Sequence, residues 1–377
     1  MLLLTLKVFS FTGGIEKVCR ILSKALQEYS TQSNQHKSAL KVISLCDKSS
    51  EVDQRYCQGV HFKGFNGNKI IFSTAAFLQG LQKDIIILSH INLIMIAALI
   101  KMISKNKRFI LLAHGIEVWR DLKPWKISFI KKNVEIWAVS QYTANVLIKK
   151  HGFHPSQIKV LNNCIDPYFI IPESFEKPAY LKRRHQLTDE HPIILTVSRL
   201  SSFEMYKGYD TVIECIRPLL QDFPNLKYLL AGKADFAEQQ RLLQLIKNQQ
   251  LDHQIILLDY ISDQELADYF QLADLFVMPS KKEGFGIVFI EAAACGCPVM
   301  AGNQDGSSDA LLNGELGILV NPDHQKEIAD SIAGFFKVKH TQDKARQLQK
   351  RCLDHFNYEV YREKVFGLLN QTKLQFQ

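Results

Sequence analysis

Two glutamates eight residues apart flank a glycine-rich turn: Glu283-Gly284-Phe285-Gly286-Ile287, then Glu291 inside an apolar, alanine-rich run ending at Cys295-Gly296-Cys297-Pro298-Val299. The apolar residues 275–278 ahead of them read as a buried parallel strand closing at Pro279-Ser280, and the run after Gly286 reads as a helix. A strand, a tight glycine turn and a helix start aim free backbone N–H groups and a positive dipole end at one point, where an anion fits. Carboxylates repel phosphate, so Glu283 and Glu291 are expected to face hydroxyls at either end of that anion. A nucleotide-sugar has this pattern, with ribose at one end, hexose at the other and pyrophosphate between. Taken alone, a Gly-x-Gly turn carrying two solvated glutamates would look much the same.

A pyrophosphate also needs cations. Arg199 stands just after a strand-like run at 193–197, and Lys207 lies in the following loop before Gly208. Fixed cations aimed at developing negative charge are a large electrostatic term in catalysis.

The segment Glu283-Gly284-Phe285-Gly286, with the second glutamate and the trailing Gly296-Cys297-Pro298-Val299, resembles the signature of retaining glycosyltransferases of family 4, in the GT-B class. That resemblance implies an α/β fold of two Rossmann-like doubly wound domains facing across a cleft, with a C-terminal helix crossing back to the first. It also implies roles. Arg199 and Lys207 match the family's Arg and Lys that hold the donor diphosphate, and Glu283 would orient the transferred sugar beside the amides of Gly284, Phe285, Gly286 and Ile287. Glu291 would take the ribose hydroxyls, since a carboxylate can accept two hydrogen bonds from a vicinal diol. Tyr260 and Ile261 lie where relatives present backbone groups to the base, but Asp259 replaces a common glycine and leaves the base open.

Gly13 and Gly14, after Phe11-Thr12, resemble the family's early glycine pair, and His114 in His114-Gly115-Ile116-Glu117 matches its histidine near the transferred sugar. The expected catalytic set is therefore Glu283, Arg199, Lys207 and His114. Asp309 stands where relatives often carry a glutamate. No Asp-x-Asp occurs, the pair with which glycosyltransferases of the other common architecture hold a divalent metal, so neither a metal nor another cofactor is expected.

These residues need a scaffold. At 377 residues the chain is too long for one ordinary core, and its 46% hydrophobic and 22% charged content is that of a globular protein. Apolar runs at 2–9, 40–45, 84–89, 108–114, 135–140 and 159–162 read as strands, with a helix at 15–29. After an irregular stretch with Pro167, Pro172 and Pro178, strands at 192–198, 227–232 and 254–258 alternate with helices at 209–223, 236–250 and 262–272. The expected organisation is an acceptor-binding domain over 1–170, a linker over 171–190, a nucleotide-sugar-binding domain over 191–354 and a crossover helix over 355–377.

The first ten residues run straight into a strand pattern and read as no secretory leader; the apolar stretch 84–100 is broken by Ser89, His90 and Asn92 and reads as no membrane span. Eight cysteines without zinc or disulfide spacing point to a reduced, cytoplasmic setting.

Charge is uneven. Residues 1–170 hold 23 Lys and Arg against 10 Asp and Glu, leaving 23 against 28 for the remainder of a chain with 46 basic and 38 acidic groups. Trp119 to Lys132 mixes aromatics with cations, and Lys101, Lys105, Lys107 and Arg108 add a second group. Such a surface suits anionic lipid headgroups, which would make the protein peripheral on the inner face of the membrane. An amphipathic helix with solvated lysines is the plainer alternative. No nucleic-acid motif accompanies the charge.

The expected function is metal-independent, retaining transfer of a sugar from a nucleoside-diphosphate sugar to a hydroxyl of a glycan or lipid-linked acceptor, in cell-surface polysaccharide or glycolipid synthesis. A GT-B nucleotide-sugar epimerase and a non-catalytic nucleotide-sugar-binding protein are the alternatives.

Overall fold

The computed structural model describes residues 1–32 and 40–371, which divide into two compact units. Residues 1–167 and 358 onward form the first, and Tyr168–Asn357 form the second.

In the first unit, strands β1 (Leu2–Thr5), β2 (Lys41–Ser44), β3 (Phe62–Gly64), β4 (Ile85–Leu88), β5 (Arg108–Ala113), β6 (Val134–Ala138) and β7 (Ile158–Val160) build one sheet. All pairs are parallel, in the order β3-β2-β1-β4-β5-β6-β7. Alternate side chains serve two cores. Leu2, Leu4, Ile86, Leu88 and Leu111 enter one, and Leu3, Val42, Ile87, Ile110 and Leu112 enter the other. Coverage on both faces is why these strands read as unbroken apolar runs rather than as alternation.

The second unit repeats the plan with β8 (Ile193–Val197), β9 (Lys227–Ala231), β10 (Ile255–Leu258), β11 (Leu275–Met278), β12 (Val299–Gly302) and β13 (Ile318–Val320). Its order is β10-β9-β8-β11-β12-β13, again wholly parallel. In both sheets the strand order therefore reverses beside the first strand, between β1 and β4 and between β8 and β11. Such a switch point leaves a crevice at the carboxyl ends of the two strands, the ordinary ligand position in doubly wound sheets.

Residues 171–190, expected as a linker, belong to the second unit. They contain the helix Ala179–Arg184 and are held by Lys177 to Asp274 at 2.7 Å and by Gln349 Nε2 donating to the Pro172 carbonyl at 2.9 Å. The stretch expected as one helix from 355 is two: Gln342–Phe356 ends at an extended Asn357, and Tyr358–Asn370 follows; residues 372–377 lie outside the described residues. The last helix packs on Gly14–Gln32 of the first unit, where Tyr29 meets the Phe366 ring edge-on and Tyr358 Oη donates to Glu28 at 2.9 Å.

Two cations assigned to a basic surface are structural instead. Arg108 is buried, paired with Glu135 at 2.8 Å, and donates to the carbonyls of Leu368, Leu369 and Gln371. Lys107 turns its ammonium to the Leu81 carbonyl at 2.9 Å. Among the described residues no helix is long and apolar enough to cross a membrane.

Candidate active site

At the carboxyl end of β8 the chain runs through Arg199 into the short turn Met205–Lys207, and at the end of β11 it runs through Ser280 into Glu283. Lys281 N–H donates to the Tyr206 carbonyl at 2.9 Å and ties the two loops together. Lys207 and Glu283, 76 residues apart in sequence, form an ion pair there with side chains only 14% and 13% exposed. Burial alone would push the Lys207 pKa down, but the Glu283 carboxylate more than offsets it and holds the ammonium above its ordinary value.

The main chain of Glu283 is fixed from a direction the sequence does not advertise. Its N–H donates to Asp305 Oδ2 at 2.6 Å, its carbonyl accepts from Gly306 N–H at 2.8 Å, and Asp305 Oδ1 also accepts from Ser307 N–H at 2.9 Å. A methyl group on Gly306 would lie 2.1 Å from the Gly284 carbonyl oxygen, so the two loops can close on each other only at a glycine. Asp305 is fully buried. Burial, with a smaller push from Glu283, raises its pKa to about 6 against the hydrogen bonds that favour the carboxylate. Asp305 gives no signal in the sequence because its partner sits 22 residues upstream, a separation without periodic meaning.

Gly286, at φ 86°, caps the helix Ile287–Ala294, and Glu291 lies buried within that helix. Phe285 points into the core, its ring edge-on to Phe356 at 5.6 Å. Ile287 and Ile261 are buried as well. The contacts expected of these three residues therefore fall to their main-chain groups. Tyr260 is exposed just beyond β10. Arg199 lies toward solvent: it is 71% exposed and bound to Glu204 at 2.6 Å. Asp309 lies in the short helix Ser307–Ala310 behind the Asp305 loop.

In the first unit, Gly14 opens the helix Gly14–Gln32, and no atom stands within 4 Å of where its side chain would be. The loop before it hangs on Asp47, whose carboxylate accepts from the N–H groups of Val8 (2.9 Å), Phe9 (2.8 Å) and Ser10 (2.7 Å) and from the Ser44 hydroxyl. Burial opposes charge there, but these donors hold the Asp47 pKa below the usual carboxylate range. His114 follows β5, with Nε2 at 2.9 Å from the Ser89 carbonyl. A carbonyl only accepts, so Nε2 carries the proton, and burial keeps the ring neutral. Nδ1 is left as an acceptor. Among the described residues no three His, Cys, Asp or Glu side chains gather as metal ligands do.

Two sheets of Rossmann order, each with its polar turns at the switch point, define the two-domain α/β architecture called GT-B. The model of the glycosyl transferases group 1 matches residues 180–351 and that of glycosyltransferase family 4 matches residues 12–169, and the chain belongs to this family. It is 29% identical over 202 residues to D-inositol 3-phosphate glycosyltransferase of Paenarthrobacter aurescens, covering 51% of this chain and 50% of that protein. It is 27% identical over 209 residues to the GDP-mannose-dependent monoacylated alpha-(1-6)-phosphatidylinositol monomannoside mannosyltransferase of Corynebacterium glutamicum, covering 52% and 53%. The matches thus span about half the length of these relatives. Among solved structures, HepE of Anabaena in complex with UDP and glucose superposes with a TM-score of 0.78 at 20% identity, covering 98% of this chain and 99% of that one. Sucrose-phosphate synthase of Thermosynechococcus elongatus gives 0.77 at 19% identity, covering 98% of each chain. At such identities the likeness is one of fold.

Proposed function

We propose that the chain is a retaining, metal-independent glycosyltransferase that moves a sugar from a UDP- or GDP-sugar to a hydroxyl of a glycan or lipid-linked acceptor, in cell-surface polysaccharide or glycolipid synthesis at the inner face of the membrane. The observation that carries this reading is the buried Lys207–Glu283 pair at the β8/β11 switch point, beside the Gly286 helix start. A diphosphate laid over that helix start would draw the Lys207 ammonium and release Glu283 to a sugar hydroxyl. Arg199 adds a second cation from the solvent side, and Glu291 offers a carboxylate to the ribose. The relatives favour the same chemistry: one is named for a GDP-mannose donor and a phosphatidylinositol mannoside acceptor, and HepE was crystallised with UDP and glucose.

The proposed step is substitution on the front face of the sugar. The bond from C1 to the diphosphate oxygen lengthens first, giving an oxocarbenium-like centre, and both electrons leave with the nucleotide. The acceptor oxygen closes on C1 from the side the diphosphate has left, passing its proton to the departing phosphate. Lys207 and Arg199 stabilise the growing charge on the leaving group, which is where fixed cations lower a barrier most. Neutral His114, with Nδ1 as an acceptor, suits a sugar hydroxyl rather than a proton transfer at C1.

The test is incubation of the protein with a panel of UDP- and GDP-sugars and lipid-extract acceptors, with and without a chelator. Nucleotide release that depends on acceptor, survives the chelator and gives a product of unchanged anomeric configuration by proton NMR is the expected result. Interconversion of the donor without any acceptor would favour an epimerase, and loss of turnover with the chelator would overturn metal independence.

A further inference from the structure

The helices Lys69–Gln82 and Ile94–Ile103 of the first unit are apolar on both sides. Their inner faces, with Phe72, Ala76, Ile96, Ala97 and Ile100, enter the core. Their outer faces carry a second stripe, where a doubly wound domain normally presents polar side chains. Met95, Leu99 and Met102, spaced at i, i+4 and i+7, are all exposed, Met102 to 78%. Ile71 and Leu78 repeat the pattern on the neighbouring helix, with Ile70 80% exposed. The two helices pack against each other. A side chain at Gly80 would meet Ile100 Cδ1 at 2.3 Å, so the helices approach closely at that glycine. An apolar area built from two helices is no scatter of single residues, and such patches mark contact surfaces.

What surrounds the patch identifies the surface it fits. Neither helix contains an acidic residue; their only charges are Lys69 and Lys101. At the C-terminal end of Ile94–Ile103, Lys101 Nζ donates to the Lys105 carbonyl at 2.6 Å. Just ahead of its N-terminal end, Lys126 donates to the Ile91 carbonyl at 3.3 Å and Arg120 to Asn92 Oδ1 at 3.4 Å. Arg120 and Lys123 are close enough to Lys126 to help lower its pKa, after burial, so three cations share that corner, with Trp125 partly exposed among them. Cations at a helix N-terminus oppose its dipole and do nothing for its stability. Of the acidic groups on the same stretch of chain, Asp121 pairs with Lys150 at 3.0 Å, and Glu117 accepts the His114 N–H at 2.6 Å.

We propose that the outer face of the helix pair Lys69–Gln82 and Ile94–Ile103, bracketed by Lys101 and Lys105 at one end and Arg120, Lys123 and Lys126 at the other, docks the first unit on an anionic lipid surface. Met95, Leu99, Met102, Ile70 and Ile71 enter the acyl boundary while the cations meet headgroup phosphates, as in interfacial amphipathic helices. This deepens the reading of a lipid-linked acceptor. It is measured without turnover, so its failure and the failure of that reading are separable.

Co-sedimentation of the full chain with phosphatidylglycerol-containing vesicles and with pure phosphatidylcholine vesicles is the test. Binding to the anionic vesicles is expected to be at least about tenfold tighter, and to weaken by about tenfold or more in the double variant Leu99→Glu, Met102→Glu. A charge variant, Lys105→Glu with Lys123→Glu, should lose anionic binding with its apolar stripe intact. Circular dichroism and nucleotide affinity unchanged from the wild type establish that both variants are folded. Equal binding to the two vesicle types, or full binding by the Leu99/Met102 variant, overturns the proposal. So does a wild-type dimer, insensitive to vesicles, that the same variant dissociates, since the face would then belong to a second copy.

Discussion

Lys207 has lost most of its water, and the Glu283 carboxylate is what keeps it charged. Removing one partner of such a pair leaves the other as a buried, uncompensated charge, which typically costs about 3–5 kcal/mol. Glu283→Gln should therefore destabilise the ligand-free protein by roughly that amount in urea unfolding. The same variant frees Lys207 and removes a negative charge from beside the anion site, so it should bind nucleoside diphosphate at least as tightly as the wild type while turnover falls about a hundredfold. Weaker nucleotide binding with normal turnover would reverse both roles. Asp305 gives a second prediction at this scale. Its folded pKa, about 6, lies above the unfolded carboxylate value, so its contribution to stability is fully present below about pH 4 and is lost as pH rises through about 6. Above that pH the carboxylate holds the Glu283 and Ser307 N–H groups together; below it, one oxygen carries a proton. Activity should therefore fall on the acid side near pH 6 in the wild type, and Asp305→Asn should be slower by about tenfold at neutral pH with that limb absent. A variant that keeps the limb would assign the titration to another group.

Elements place these side chains, and most of the elements were readable. Strands such as Ile85–Leu88 and Leu275–Met278 sit between two helical layers, so every residue is apolar, and length with turn residues marks their ends. Phe62–Gly64 holds a single apolar residue and shows no strand pattern, and Ile318–Val320 is likewise absent from the expected strands. The glycine turn, the helix after it and both glutamates were legible because their chemistry is local. Asp305 and Asp47 were not, because each serves a backbone segment distant in sequence. Arg108 and Lys107 misled for the opposite reason: a run of cations looks like surface until one of them is seen facing Glu135. Asp47 makes the point measurable. Its carboxylate gathers three backbone N–H groups of the loop between β1 and Gly13, so Asp47→Ala should cost about 2–4 kcal/mol in urea unfolding. Because the Asp47 pKa is depressed, the wild type should lose that advantage as pH falls below the carboxylate range. A variant as stable as the wild type would mean that the loop is held by other contacts.

Over the whole molecule, the chain returns to the unit in which it began. Arg108 clamps the carbonyls of Leu368, Leu369 and Gln371 from strand β5, and Arg108→Met should raise amide exchange in residues 358–371 well before the sheet exchanges. The charge asymmetry also belongs to this scale: the first half carries the basic excess, and the second half, slightly acidic in sum, sets two cations at the β8/β11 switch point. A local field, rather than net charge, would therefore hold the donor diphosphate. Calorimetric titration of UDP and GDP into the wild type and Lys207→Ala measures it most directly. One of the two nucleotides should bind the wild type and bind Lys207→Ala at least about tenfold more weakly. Equal affinity in the two proteins, or no binding of either nucleotide by the wild type, would contradict the assignment of the donor diphosphate to this site.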